Sequence, residues 1–185
     1  GKETYIGGGE ESYGYLVGDF VRDKDGVSAC AMVAEVIAYY KTKGKNVFRV
    51  LAEIYSQFGF YKESLISVTK KGKDGAEQIQ KLMADFRTNP PSEMNGIAVE
   101  RIVDVKNSTV THVKSGKVEK LDMDKSNVMQ FYLADGSKIS ARPSGTEPKI
   151  KYYFSVNEPL PNKEAYKAVE GSLERKIEGL KKFFS

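Results

Sequence analysis

The fold is decided by residues 127–156, which read NVMQFYLADGSKISARPSGTEPKIKYYFSV. We expect a β-strand over Asn127 to Ala134 and another over Lys149 to Val156, which puts Ile150, Tyr152, Phe154 and Val156 on one face. The dipeptide Asp135-Gly136 lies between the first strand and Lys138-Ile139, and it predicts a type I′ hairpin. The stretch therefore predicts an antiparallel sheet.

Further strands and two helices flank this stretch. We expect a strand over 60–69, where the residues alternate between two faces, and further strands over 97–106 and 110–114. Asp74 is the predicted N-cap of a helix with the apolar face Ile79, Leu82, Met83 and Phe86, and a last helix runs from Lys163 to about Phe184. Residues 59–185 are thus predicted to form an α+β domain, an antiparallel sheet with helices over one face.

Residues 1–58 have a different character. We expect a short strand over Thr4 to Ile6, a helix over 27–41 capped by Asp25 or Asp23, and a second helix that begins after Asn46 and ends at Gly59. Of the 14 residues from Val27 to Tyr40, 12 are apolar, and they lie all round the helix. Such a helix is typical of the interior of a larger domain. A surface of this kind on 27–40 also predicts possible self-association.

Scarce residue types exclude several functions. The chain has 185 residues, a formal net charge of +4, one Cys and one His. Internal disulfides and Cys/His zinc sites are therefore excluded. Cys30 is expected to be a buried, inert thiol, and His112 a surface or hydrogen-bonded strand residue. No apolar run reaches the roughly 20 residues of a membrane span. The lysine runs predict a solvated surface, with a nucleic-acid patch as the alternative.

The loop after Ala141 contains the residues best suited to chemistry. Arg142 offers a planar fork of donors that can bind a phosphate bidentately, while Ser144 and Thr146 add hydroxyl donors. Gly145 allows backbone amides to approach an anion. These residue types predict a phosphate site, and an ordinary Pro/Gly loop with a surface arginine is the alternative.

Three segments resemble the α-D-phosphohexomutases, the phosphoglucomutase and phosphomannomutase family. Arg142 to Lys149 resembles the phosphate-binding loop of the family's last domain. Gly9 to Gly14 resembles the sugar-specificity loop of the third domain, and Phe20 to Gly26 resembles the segment that follows that loop. The pattern is most similar to the phosphoglucomutase/phosphopentomutase-like branch.

The resemblance implies a division of the chain and a set of site residues. Residues 1–58 would be the C-terminal part of the third domain, a mostly helical remnant of an α/β fold, and 59–185 the TBP-like fourth domain. Glu10 and Ser12 would bind sugar hydroxyls, Arg142, Ser144, Gly145 and Thr146 would bind phosphate, and Lys24 is a candidate acid/base. The substrate would be a hexose 1-phosphate or 6-phosphate, or a pentose equivalent.

The family's reaction also needs groups that this sequence does not show. It uses a phosphoserine in the first domain and Mg²⁺ held by a DGD-type loop in the second. Asp122-Met123-Asp124 is the nearest acidic alternation, and a polar turn explains it better. We therefore expect an inactive C-terminal fragment of a cytoplasmic isomerase, with no metal site of its own. Its partners would be a phosphosugar and the missing N-terminal domains, without nucleic acid or membrane. The alternative is a stand-alone phosphate- or nucleic-acid-binding module.

Overall fold

The computed structural model describes residues 4–9, 14–20, 23–70 and 74–184. The chain divides into two compact units, which we call the N-terminal unit, Gly1–Ile54, and the C-terminal unit, Tyr55–Ser185. The sequence-based boundary after residue 58 stays a prediction.

The N-terminal unit contains a short β-ribbon. Strand β1, Gly7–Gly9, pairs antiparallel with β2, Tyr15–Val17, and Gly7 lies opposite Val17. The predicted strand over Thr4 to Ile6 is wrong, because the ladder with β2 forms at the glycines that follow. Pairing with a neighbour thus outweighs the low intrinsic strand preference of glycine.

Two helices follow the ribbon. Helix α1, Gly26–Thr42, is capped by Asp25, whose carboxylate accepts hydrogen bonds from the amides of Val27 at 3.0 Å and Ser28 at 2.8 Å. Gly44, with φ of 67°, follows its end, and α2 is Val47–Phe58. The side chain of Asn46 accepts from the Arg49 amide at 2.8 Å, which confirms the predicted cap.

The apolar surface of α1 is largely exposed. Ala29 is its one buried residue, while Val27 and Val33 are 80% and 52% exposed. Cys30 is exposed as well, so the prediction of a buried thiol is wrong for this chain. Apolar neighbours in sequence do not themselves cover a side chain, and a covering surface must come from another element. Self-association through residues 27–40 stays a prediction.

The C-terminal unit is built on an antiparallel sheet. Its strands are β3 (Phe60–Thr69), β4 (Glu93–Met94), β5 (Ile97–Asp104), β6 (Thr109–His112), β7 (Lys117–Lys120), β8 (Met129–Leu133), β9 (Lys138–Pro143) and β10 (Lys149–Glu158). Their order is β3-β10-β9-β8-β5-β6-β7, and β4 pairs with β5 beside this path. The last strand in sequence thus lies next to the first strand of the unit.

Two helices cover one face of this sheet. Helix α3 is Gly75–Thr88, and α4, Tyr166–Lys182, follows a 3₁₀ turn at Lys163–Ala165. Ile79 and Met83 of α3 and Leu173, Ile177 and Leu180 of α4 join the sheet residues in one apolar core. The core face of β10 is as predicted, with Ile150, Tyr152, Phe154 and Val156 at most 2% exposed. The α+β architecture predicted from sequence is confirmed.

Two local predictions differ from the structure in their geometry. Asp74 occupies the N-cap position of α3 as predicted, but its side chain makes no cap hydrogen bond, because its φ and ψ of −95° and 5° lie outside the extended conformation that an N-cap residue needs. The hairpin between β8 and β9 is not type I′, which requires positive φ at both central residues. Gly136 has φ of 82°, Asp135 is not among the residues with positive φ, and Leu133 bonds to both Gly136 and Ser137. This geometry fits a type I turn followed by a left-handed glycine.

Candidate functional site

The loop predicted to bind phosphate joins two neighbouring strands, β9 and β10. Arg142 lies directly opposite Lys151 in the ladder, and Ala141 lies opposite Tyr152. Ala141 and Tyr152 are buried in the core, at 0% and 2% exposed. Because side chains alternate between the two faces of a strand, Arg142 and Lys151 both project from the face opposite the core.

A pocket of about 340 Å³ opens at this loop. It is lined by Arg142, Pro143, Ser144, Gly145, Thr146, Glu147, Lys149 and Lys151. Three of these side chains are cationic and one is a carboxylate. The excess of positive charge and the two hydroxyl groups suit an anionic ligand with several oxygen acceptors.

Internal hydrogen bonds hold the loop in shape. The amide of Ser144 donates to the carbonyl of Lys149 at 2.9 Å, which closes the base of the loop. The Ser144 hydroxyl oxygen accepts from the amides of Thr146 at 3.4 Å and Glu147 at 3.3 Å. These long bonds come from amides at the rim of the pocket, which are the groups that can turn to donate to a bound anion.

The loop contains an ion pair of its own and has open space at Gly145. The ammonium group of Lys149 forms an ion pair with the Glu147 carboxylate, so part of the positive charge is balanced inside the loop. A Cβ atom placed on Gly145 would meet nothing within 4 Å. Neither crowding nor backbone strain therefore requires glycine at 145 in the ligand-free loop, and the space above its Cα is open.

The structure brings together four of the residues predicted from sequence, Arg142, Ser144, Gly145 and Thr146. Sequence reasoning placed Lys149 in the predicted loop without giving it a role in binding, and it missed Lys151 as a pocket residue. The signal for Lys151 was present, because alternation along β10 places it on the face opposite Ile150 and Tyr152. What was missing was the strand register, which sets Lys151 across from Arg142.

Lys24 lies in the N-terminal unit. Its ammonium group is 3.4 Å from the Asp23 carboxylate, and its side chain is 39% exposed. The next residue, Asp25, forms an antiparallel bridge with Tyr15. Tyr15 lies two residues after the range 10–13 in the sequence. Glu10 and Ser12, the predicted sugar-binding residues, lie outside the described residues, so their role stays a prediction.

Other polar groups of the described residues bear on alternative kinds of site. Among the residues that the structure describes, no group of three or more His, Cys, Asp or Glu side chains is placed to hold a metal ion. His112 is a strand residue whose side chain is 41% exposed, as the surface alternative predicts; its Nε2 lies 3.5 Å from Glu119 and has no hydrogen-bond partner within the described part of the chain. The hydrogen bond with Lys117 is the largest influence on the Glu119 carboxyl and lowers its pKa. None of the described helices is long and apolar enough to span a bilayer.

Known proteins match the chain over most of its length. Residues 1–58 match the family model described as phosphoglucomutase/phosphomannomutase, alpha/beta/alpha domain III. A phosphoglucomutase of Staphylococcus aureus strain N315 is 39% identical over 150 residues, which cover 81% of this chain and 27% of the relative. That of strain MSSA476 is 40% identical over 147 residues, 80% of this chain and 26% of the relative.

A solved structure supports the fold. The crystal structure of the exocytosis-sensitive phosphoprotein pp63/parafusin, a phosphoglucomutase from Paramecium in its open form, matches with a TM-score of 0.51 and 21% identity. The match covers 92% of this chain and 29% of the other. The chain thus spans roughly a quarter of the length of the curated relatives it matches, at 27% of the first of them.

Proposed function

Because the chain belongs to the α-D-phosphohexomutase family, we propose that it is the C-terminal part of a phosphoglucomutase that interconverts sugar 1-phosphates and 6-phosphates. The similarity to phosphoglucomutases over 81% of the chain supports this, and a stand-alone nucleic-acid module is not favoured. In this proposal the chain recognises the substrate. A cytoplasmic location belongs to the same proposal and follows from the resemblance alone.

The observation that carries the proposal is the pocket at the loop between β9 and β10. We assign it to the phosphate that is not being transferred. The guanidinium of Arg142 would bind two phosphate oxygens, and the Ser144 and Thr146 hydroxyls and the amides beside Gly145 would bind the remainder. Lys151, opposite Arg142, adds a second cation on the same face of the sheet.

Holding the remote phosphate serves the reaction through positioning. Phosphoryl transfer depends mainly on aligning the attacking and leaving oxygens and on stabilising charge. In the proposed sequence a phosphoserine outside this chain donates its phosphoryl group, the bisphosphorylated sugar reorients, and the other phosphate returns to the serine. The same pocket would bind either phosphate in turn, so both orientations of the sugar present their reacting oxygen at one place.

The remaining recognition is assigned to the N-terminal unit. Glu10 and Ser12 would bind sugar hydroxyls, since a carboxylate and a hydroxyl can both hydrogen-bond to a diol. Lys24 would place a positive charge, and a proton donor, near the reacting end. These assignments rest on the family resemblance. The chain by itself is proposed to be inactive, because the phosphoserine is not part of it.

Magnesium belongs to the family's reaction, but the described residues do not fit it. Mg²⁺ prefers an octahedral set of oxygen ligands, usually with one or two carboxylates. No cluster of three or more potential ligands occurs among the described residues. In the proposed function, Mg²⁺ is therefore assigned to residues other than these.

Replacing Arg142 with Ala tests the proposal. A charge-assisted hydrogen bond contributes about 1.5–3 kcal/mol, so kcat/KM of the full-length enzyme for glucose 1-phosphate should fall roughly 10- to 150-fold. In the 185-residue chain, inorganic phosphate and glucose 6-phosphate should shift the NMR signals of residues 142–149 in the native protein and much less in Arg142→Ala.

The matched control is Arg175→Ala, which removes an exposed arginine of α4 outside the pocket. It should leave both readouts unchanged. If Arg142→Ala retains full kcat/KM and full phosphate-induced shifts, the pocket assignment is wrong. Salt-sensitive binding of DNA without any response to phosphosugars would instead favour the nucleic-acid module.

A further inference from the structure

Gly14 lies directly under the side chain of Lys24. Gly14 is buried, and a Cβ atom built on it would lie 2.8 Å from Cγ, 2.9 Å from Cβ and 3.1 Å from Cδ of Lys24. Separations below 3.0 Å are essentially never seen for real Cβ atoms. The aliphatic part of Lys24 therefore occupies the space that any side chain at residue 14 would fill.

Lys24 cannot withdraw from this contact by a simple rotation. Its Cβ, one of the crowded atoms, is bonded to the main chain and moves only if the backbone moves. The backbone next to Lys24 is held by the bridge between Asp25 and Tyr15. The Asp25 amide donates to the Tyr15 carbonyl at 3.0 Å, and the Tyr15 amide donates to the Asp25 carbonyl at 3.5 Å.

Asp25 is fixed a second time as the N-cap of α1. A displacement of Lys24 would disturb either the cap or the bridge, and a capping residue contributes about 1 kcal/mol. Residue 14 and residue 24 are thus packed face to face between two anchored neighbours, Tyr15 and Asp25. The ammonium group projects beyond this contact toward Asp23.

We propose that Gly14 is a positioning residue for Lys24. Its missing side chain forms the groove in which the lysine stem lies, and the groove sets the direction of the ammonium group. In the sequence, Gly14 directly follows residues 10–13, which include Glu10 and Ser12. The inference rests on the proposed function, in which Lys24 faces the reacting sugar.

A three-variant cycle in the full-length enzyme tests this: Gly14→Ala, Lys24→Gly and the double variant. Gly14→Ala should lower kcat/KM roughly 10- to 100-fold, since a misplacement of about 1 Å has an effect of that order. The loss should fall on kcat, with KM changed less than about threefold, and Lys24→Gly should show the same division. Because Lys24→Gly removes all three crowded atoms, the double variant should match Lys24→Gly alone in both kcat/KM and melting temperature.

The matched control is Gly171→Ala in α4. A Cβ there would meet only the Arg175 guanidinium, at an ordinary 3.5 Å. This variant should keep kcat/KM within about twofold and its melting temperature should not fall, because glycine weakens a helix relative to alanine.

The outcomes separate the two proposals. If Lys24→Gly keeps normal kcat and KM, the role of Lys24 in the proposed function is wrong, and the positioning role falls with it. If Lys24→Gly is impaired but Gly14→Ala is normal, or if the two losses multiply in the double variant, the inference about Gly14 alone is overturned. If Gly14→Ala is too unstable to assay, the melting temperature decides: failure of Lys24→Gly to suppress the loss overturns the inference.

Discussion

Replacing the buried Asp104 with Ala should strongly destabilise the C-terminal unit. Asp104 is 7% exposed and lies at the end of β5. One carboxylate oxygen accepts from Arg87 Nε at 3.1 Å and from Asn107 Nδ2 at 2.6 Å. The other accepts from the amides of Lys106 at 3.1 Å and Asn107 at 3.4 Å.

The magnitude follows from what the substitution leaves behind. Breaking a buried ion pair by removing one partner costs about 3–5 kcal/mol, because the other charge stays desolvated. Arg87 keeps two hydrogen bonds, to the Met83 carbonyl at 3.1 Å and the Asn127 side chain at 2.7 Å, and these partly compensate for the loss. We therefore expect Asp104→Ala to lower the free energy of unfolding by about 3 kcal/mol.

Arg87→Met should cost less than Asp104→Ala. It leaves the carboxylate with its three other donors, whereas Asp104→Ala strands the guanidinium and the turn amides together. Urea unfolding followed by far-UV circular dichroism measures both variants, and Asp122→Ala, an exposed aspartate, is the control that should stay within about 0.5 kcal/mol of the native protein. A loss below about 1 kcal/mol in Asp104→Ala, or a larger loss in Arg87→Met, would refute the reasoning.

Two further predictions concern the same unit. Gly75→Ala should lower the free energy of unfolding of this unit by about 1–3 kcal/mol in urea, because the new Cβ would collide with the Lys70 carbonyl oxygen. An unchanged urea midpoint would contradict this and would mean that the start of α3 can shift to make room. Burial, the largest influence on Asp135, raises its pKa, but the Ser137 amide and the Lys176 ammonium group together bring the pKa below its ordinary value of 3.8. The stabilisation from this carboxylate is therefore complete above pH 3.8 and is lost as the pH falls through the lower pKa of the folded state. Asp135→Asn should therefore make the free energy of unfolding fall less steeply at acid pH than it does in the native protein. An equally steep fall in the variant would contradict this.

Sequence patterns predicted the elements whose burial is strictly periodic. Strand β10 and helix α4 were predicted correctly because their apolar residues repeat at the period of a strand and of a helix facing a core. Strand β7 was missed because all four of its residues, Lys117 to Lys120, are exposed and carry no alternation. It forms because β6 offers an edge with which to pair. Such strands depend on a neighbour that the local sequence does not reveal.

Turn and cap details were less predictable for a related reason. Asp135-Gly136 contains the usual residues of a two-residue turn. In the structure, however, Leu133 bonds to Ser137, so the loop between β8 and β9 has three residues. Asp74 has the right residue type for a cap, yet its backbone conformation is set by the segment around it. In both cases residue type allows several geometries, and tertiary pairing selects one.

The residues of the candidate site also differ in how far the sequence could predict them. Arg142, Ser144, Gly145 and Thr146 are consecutive or nearly so, and a sequence motif can identify such a set. Lys151 becomes part of the pocket only through the register of β9 and β10, and Gly14 becomes a neighbour of Lys24 only through the bridge between Tyr15 and Asp25. Contacts that depend on pairing between strands were invisible until the register was known.

The closure of the loop between β9 and β10 also limits how this region can change its length. The pair Pro143 and Ile150 fixes both stems, and the bond from Ser144 to Lys149 leaves four residues between its ends. One inserted residue would either break that bond or slide β10 past β9, and a one-residue slide would turn Lys151 into the core and Tyr152 out of it. Variation in ligand preference is therefore expected to arise at this hairpin by substitution, whereas insertions and deletions will accumulate in turns that no ladder closes, such as residues 121–128.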